Sequence, residues 1–85
     1  MAQHNLKTIP PYFQSVWDGE KPFELLKADR PFMVGDLLVL EEYIPETKEY
    51  TKRKICVTIS YVLQGFKGLC DGYCIVGIIN QDNYE

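Results

Sequence analysis

The chain has 85 residues, 46% of them apolar and 25% charged, with nine Lys plus Arg against twelve Asp plus Glu and a formal charge of −3. Such a length supports one small core and excludes TIM barrels and full Rossmann domains, which need about 150–250 residues. The acidic balance excludes a domain that is basic all over, so any nucleic-acid surface must be a local patch.

His4 to Ile9 alternates as a short strand and ends at Pro10-Pro11. Phe13, Val16 and Trp17 then fall at i, i+3 and i+4, predicting a helix over residues 11–18 that Gly19 closes. Two turns are too few to be stable alone, so the stripe must pack on a sheet. From Lys21 the period becomes two. Phe23 and Leu25 are expected in the core, with Glu24 facing outward or into a cleft. Val34-Gly35-Asp36 turns into the apolar run Leu37 to Leu40, and Pro45 to Tyr50 is the tip of a hairpin.

The return strand spans Thr51 to Leu63, with Ile55, Val57, Ile59 and Tyr61 on one face. Gln64 to Gly72 reads as a loop, and Tyr73 to Ile79 as a final strand in which Gly77 marks a bulge or a close backbone approach. Residues 1–80 therefore form the domain, and Gln81 to Glu85 are expected to be a frayed tail. One helix followed by a meander of strands predicts an α+β fold, a small curled or barrel-like sheet. No run is long and apolar enough to cross a bilayer, residues 1–10 have no secretory apolar core, and the cysteines number three. The expectation is a cytoplasmic protein with reduced thiols and no membrane contact. Cys70 and Cys74 lack the spacing and companions of a zinc site, so neither metal nor other cofactor is expected.

The polar residues that carry chemistry gather early: Gly19-x-Lys21-x-x-Glu24-x-x-Lys27, then Asp29-Arg30. A Lys beside a Glu holds phosphate, orients a base edge, or runs acid–base chemistry when desolvated. The plain alternative is a surface ion pair worth about 0–1 kcal/mol. His4 is a third acid–base candidate, because histidine is the side chain whose charge ordinarily changes between pH 5 and 8, against a structural role at the barrel rim. Tyr61 is either a stacking platform for a base or half-buried sheet filler. Lys52-Arg53-Lys54 reads as a solvated hairpin stem or as the border of a nucleic-acid path.

His4-x-Leu6-Lys7, Tyr12-Phe13, Gly19-x-Lys21-x-Phe23-Glu24 and Asp29-Arg30-x-Phe32-x-Val34-Gly35-Asp36 together resemble the ASCH-like branch of the PUA superfamily. The chain is similar in particular to short stand-alone bacterial and phage domains of unknown function in that branch. The likeness runs from His4 to about Ile79. It implies a PUA-like pseudo-barrel of five or six strands with a helix at its mouth, and binding of RNA or a modified nucleotide beside that helix. Two positions depart from the pattern. Leu26 stands where the family usually carries Arg, which removes a planar phosphate fork. One ASCH-like group hydrolyses acetylated cytidine with a Lys, a Thr three residues later and a distant Glu; here Glu24 replaces that Thr, and Cys74 to Asn80 contains no Glu.

The leading expectation is a non-enzymatic module for RNA or a nucleotide. His4, Lys7, Lys21, Glu24, Lys27 and Arg30 would form the cleft: Lys21, Lys27 and Arg30 would meet phosphate, Glu24 and His4 would read a base or ribose edge, and Tyr61 is the candidate for stacking. A hydrolase of a modified nucleoside, with Lys21 and Glu24 as the acid–base pair, is the second. A protein-interaction module using the hairpin Tyr43 to Tyr50 is the third.

Overall fold

A computed structural model describes all 85 residues. In chain order the elements are β1 (Gln3–Thr8), α1 (Tyr12–Trp17), β2 (Phe23–Lys27), β3 (Leu37–Ile44), β4 (Glu49–Gln64) and β5 (Tyr73–Tyr84). The five strands form one sheet in the order β1-β3-β4-β5-β2. β1 runs parallel to β3 and every other pairing is antiparallel. The sheet is curled like half a barrel: β1 and β2, its two ends, line the same cleft. The result is a small barrel-like α+β fold.

Alternation decides what the concave face carries. Leu38 and Leu40 of β3, Ile55, Val57 and Ile59 of β4, and Cys74, Val76 and Ile78 of β5 are buried there. Phe13 and Val16, both 0% exposed, fasten α1 against this face, as the i, i+3 spacing predicts. Phe32, from the loop between β2 and β3, joins the same core.

Three features differ from the sequence reading. In β2 the faces are reversed. Phe23 and Leu25 are 42% and 53% exposed, while Glu24 is 5% exposed and Leu26 packs against the core. The physical reason is the partner: Lys21 brings its ammonium within 3.1 Å of Glu24, which lets a carboxylate sit where an apolar residue is expected. In β4 the alternation slips after Ile59. Ile59 faces Ile78 but Tyr61 faces Gly77, two steps on β4 against one on β5, which is a β-bulge. The slip turns Tyr61 outward, 63% exposed, and brings Val62 onto the core. Gly77 lies beside it, and a Cβ there would stand 2.8 Å from Ser60 Oγ, so any larger residue would have to turn that hydroxyl aside.

Third, residues 81–84 are not a loose tail. β5 pairs with β4 out to Tyr84, opposite Lys54. Gln81 Nε2 donates to the carbonyl oxygens of Val16 (2.6 Å) and Trp17 (3.2 Å), and Asn83 Nδ2 donates to Trp17 O at 3.0 Å. Trp17 O is a carbonyl that the helix end leaves without a backbone partner, and Val16 O accepts from the Gly19 amide as well. A polar, glycine-free segment at a chain end gives no apolar period to announce that role.

Candidate functional site

Curling the sheet leaves a gap between its two unpaired edges. The gap is a cleft of about 760 Å³, within the range of about 300–1,000 Å³ over which protein pockets enclose small ligands. One wall is the edge of β1 from Leu6 to Thr8, continued by Ile9, and the opposite wall is the whole of β2. Tyr12, at the start of α1, stands at one end; Asp29, Arg30 and Phe32 close the other.

Five of the residues singled out from sequence meet here: Lys7, Lys21, Glu24, Lys27 and Arg30. Lys21 and Glu24 share this hollow. Lys21 follows the left-handed Gly19 (φ 77°), which ends the helix and turns the chain back toward the cleft. Its ammonium lies 5.2 Å from the ring centre of Tyr12 and 5.5 Å from that of Phe23, between aromatic faces that favour a cation. Its side chain is only 19% exposed. Lys7 reaches over the ring of Tyr43 at 4.3 Å, and Arg30 pairs with Asp29 at 3.1 Å while lying 5.7 Å from the Phe32 ring.

Glu24 is the unusual member. Burial raises its carboxyl above the ordinary value, and the neighbouring Lys21 opposes that shift without cancelling it. Lys21 Nζ, 3.1 Å from Oε1, is the one charged partner of this enclosed oxygen, and no other donor reaches it. The other two buried carboxylates are saturated. Asp36 accepts from the Ala2 amide (3.0 Å), His4 Nε2 (2.9 Å) and the Met33 amide (3.1 Å), and these hold its pKa down at about 2. Glu42 accepts from Thr51 Oγ1 at 2.6 Å and from Arg53 Nε and Nη2 at 2.9 and 2.8 Å, which lowers its pKa too.

The structure does not bring His4 and Tyr61 to the cleft. His4 is 8% exposed and bonded to Asp36; because a carboxylate with so low a pKa only accepts, the imidazole Nε2 must carry the proton and donate. Its ring also meets Phe32 edge-on at 4.7 Å. Its role is to tie β1 to the turn before β3, a rim function. Tyr61 projects from the bulge into solvent and does not line the cleft. Aromatic faces are supplied instead by Tyr12, Phe23 and Phe32, which the sequence analysis did not assign to a site. Tyr12 carried no separate signal: four residues before Val16, it borders the apolar stripe and reads as part of that face.

Of the basic run at 52–54, Arg53 turns inward. Besides Glu42, its Nη2 donates to Gln14 Oε1 at 2.9 Å, and its guanidinium lies 4.6 Å from the Trp17 ring centre, so it pins α1 to the sheet. In the hairpin Tyr43 and Tyr50 pack on one another edge to face at 4.9 Å, with Tyr50 still 50% exposed. No group of three or more His, Cys, Asp and Glu side chains stands together in a way that holds a metal ion. No helix is long and apolar enough to cross a membrane.

A family model described as Domain of unknown function (DUF3850) matches residues 3–78. Comparison with curated proteins finds no match. The matched span takes in β1, α1, β2 and every cleft residue named above, and on that extent the chain belongs to the DUF3850 family.

Proposed function

We propose that the cleft binds a nucleotide or a short stretch of single-stranded RNA, and that the domain acts as a binding module. One observation carries this reading. In a chain of formal charge −3, Lys7, Lys21, Lys27 and Arg30 converge on one hollow that holds only two carboxylates and three aromatic side chains. Cations at a rim suit phosphate, and aromatic faces within suit a base, whose stacking is worth about 1–3 kcal/mol. The curled five-stranded sheet with a helix at its mouth agrees with the PUA-like expectation raised by the ASCH-like motifs, and that resemblance supports the same ligand class. Leu26 remains an apolar wall where the resembled pattern has Arg, so phosphate falls to Lys27 and Arg30, both on the exposed rim.

Fluorescence anisotropy with labelled single-stranded RNA in low salt tests the proposal. Binding is expected, with log K falling against log salt at a slope of about −2 if Lys7, Lys27 and Arg30 each neutralise one phosphate. Lys27→Ala with Arg30→Ala should flatten that slope to about −0.7. No binding to RNA or to nucleoside monophosphates at about 100 μM protein would refute it.

A second reading, hydrolysis of a modified nucleoside with Lys21 and Glu24 as the acid–base pair, is favoured by the raised pKa of Glu24. Against it stands Glu24 in the place of the nucleophilic Thr of the acetylcytidine hydrolases it resembles. Release of acetate from acetylated cytidine by the wild-type protein, lost in Lys21→Met, would establish that activity; its absence would leave binding alone.

A further inference from the structure

Five of the six glycines stand at positive φ, where the backbone favours glycine; Gly77, inside β5, is the exception. A Cβ there would meet only the Ser60 hydroxyl closely, and a hydroxyl can turn aside. Neither backbone nor packing therefore demands glycine at this position. A glycine inside a strand weakens it, and often marks a place where a ligand comes close to the backbone.

The register shows what flanks it. Gly77 pairs with Phe23 of β2 on one side and with Tyr61 of β4 on the other. Residues opposite one another on antiparallel strands share a face. Here it is the outer face: Phe23 and Tyr61 are exposed, while Glu24, Val76 and Val62, one step along each strand, turn toward the core. The two aromatic residues stand two strand spacings apart, about 9–10 Å at their Cα atoms, with no side chain between them. A flat ring held between two others needs about 7–8 Å, twice the contact distance of carbon atoms. The row Phe23-Gly77-Tyr61 is thus a slot that admits one planar ring. Ser60 Oγ, 2.8 Å from where a Gly77 Cβ would stand, puts a hydroxyl at its floor that can donate to or accept from the edge of that ring.

Charge narrows the occupant. Over residues 23–27, 60–63 and 73–77, which make up this face, the one carboxylate is Glu24, and it points inward. Two lysines border the face along β2: Lys21, 5.5 Å from the Phe23 ring, and the exposed Lys27, opposite Tyr73. Aromatic faces beside cations and free of acids suit the stacked bases of a polyanion. An apolar protein surface would use neither the gap nor the hydroxyl. We infer that Phe23, Gly77 and Tyr61 form a second base subsite, in which one base of a single RNA strand stacks between the two rings while the phosphates run past Lys21 and Lys27. Phe23 lines the cleft as well as the slot, so neighbouring nucleotides of one strand reach both. This rests on the nucleotide-binding reading above and chooses, within it, a strand over a free nucleotide.

The test uses a labelled adenosine pentamer, titrated by anisotropy in low salt, with AMP as unlabelled competitor. Tyr61→Ala should weaken the pentamer by about fivefold or more, the worth of one stacked base, and leave AMP within about twofold. Tyr61→Phe, which keeps the ring, should bind the pentamer within about twofold of wild type. In the wild-type protein the pentamer should move the Tyr61 ring protons upfield in NMR spectra, a readout that no misfolded variant can mimic. An unmoved Tyr61 ring, or a pentamer held equally by wild type and Tyr61→Ala, would overturn the slot while the binding module stands. AMP weakened to the same degree as the pentamer would put the free nucleotide itself on this face and overturn a second subsite. A concentration-dependent dimer that Tyr61→Ala dissociates would also overturn it, giving the face to a second copy of the chain. No binding by pentamer or AMP would overturn both readings.

Discussion

Lys21→Met separates the two ways in which this lysine contributes. The substitution keeps an unbranched stem beside Tyr12 and Phe23 but removes the charge 3.1 Å from Glu24 Oε1. Removing one partner of a fully buried pair costs about 3–5 kcal/mol, because the other charge is left without compensation. Here the Lys21 side chain keeps 19% of its exposure and the cleft admits water. The cost at pH 7 is therefore expected to be about 1–3 kcal/mol. For a chain this small, with a urea m-value near 1–1.5 kcal/mol/M, the unfolding midpoint should fall by about 1–2 M. The cost must depend on pH, and its sign is fixed. Burial raises the Glu24 pKa and Lys21 opposes the rise, so in the variant it stands further above the unfolded value of about 4.3. The folded state then binds the extra proton. Stability is kept at low pH and lost as pH rises through that window. At pH 5 the loss should shrink below about 1 kcal/mol, and adding Glu24→Gln should recover most of the loss at pH 7. Equal losses at pH 5 and pH 7 would refute the argument and assign Lys21 to ring contacts alone.

Three further outcomes follow from the same carboxylates and from the chain end. Arg53→Met leaves Glu42 with Thr51 as its remaining side-chain donor and frees Gln14; a loss of about 2 kcal/mol, roughly 8–16 °C in Tm by circular dichroism, is expected, and Arg53→Lys should not restore it. Asp36, held at about 2, contributes stability that is present above its unfolded pKa and lost as pH falls toward 2. Melting temperatures from pH 5 to pH 2 should drop less steeply in Asp36→Asn than in the wild type. Gln81→Ala removes one side-chain amide that donates to two helix-end carbonyls and should cost about 1 kcal/mol in urea, with deletion of residues 81–85 costing more; unchanged stability on deletion would return that segment to the status of a tail.

Much of the fold was legible because burial and period agree over most of the chain. Phe13 and Val16 on α1 and Ile55, Val57 and Ile59 on β4 are buried as their spacing implies, while in β3 the continuous apolar run marked a strand without telling that Leu38 and Leu40 face the core. What escaped is where one interaction overrides a period. A period-two reading carried through Ser60 puts Tyr61 inside; a one-residue bulge facing Gly77 puts it outside, and only the glycine hinted at it. In β2 hydrophobicity favoured Phe23 and Leu25 as core, but an edge strand has one exposed and one packed face, and ion pairing with Lys21 let Glu24 take the packed one. The site was legible as a cluster, since Lys21, Glu24, Lys27 and Arg30 are close in sequence. Lys7 joined them because the resemblance singled it out, and only the topology explains its nearness: β1 and β2 are the two ends of the sheet. His4 was misplaced because a titratable residue at a strand start looks the same whether it faces a cleft or a buried aspartate 32 positions later.

The same topology also offers a plain reason for charge at this place. Unpaired strand edges invite other strands to pair with them, and lysines on edge strands are a common deterrent. Lys7 on β1 and Lys27 on β2 are exposed and would serve that purpose with no ligand at all. That explanation does not extend to Lys21 and Glu24. A guard charge has to stay in water, whereas these two side chains are 19% and 7% exposed. Nor does Lys21 lie on a strand edge; it is in the turn between α1 and β2. Structure alone does not require the pair either, since a leucine at position 24 facing a methionine at 21 would fill the wall without the desolvation cost of two charges. The edge lysines bear on whether a polyanion is attracted; the buried pair bears on whether a particular ligand is recognised. Changing Lys7 and Lys27 should therefore move the salt dependence of binding and leave base preference intact, while changing Glu24 should do the reverse. If both sets of changes shift affinity and preference together, the division of labour between rim and floor is wrong.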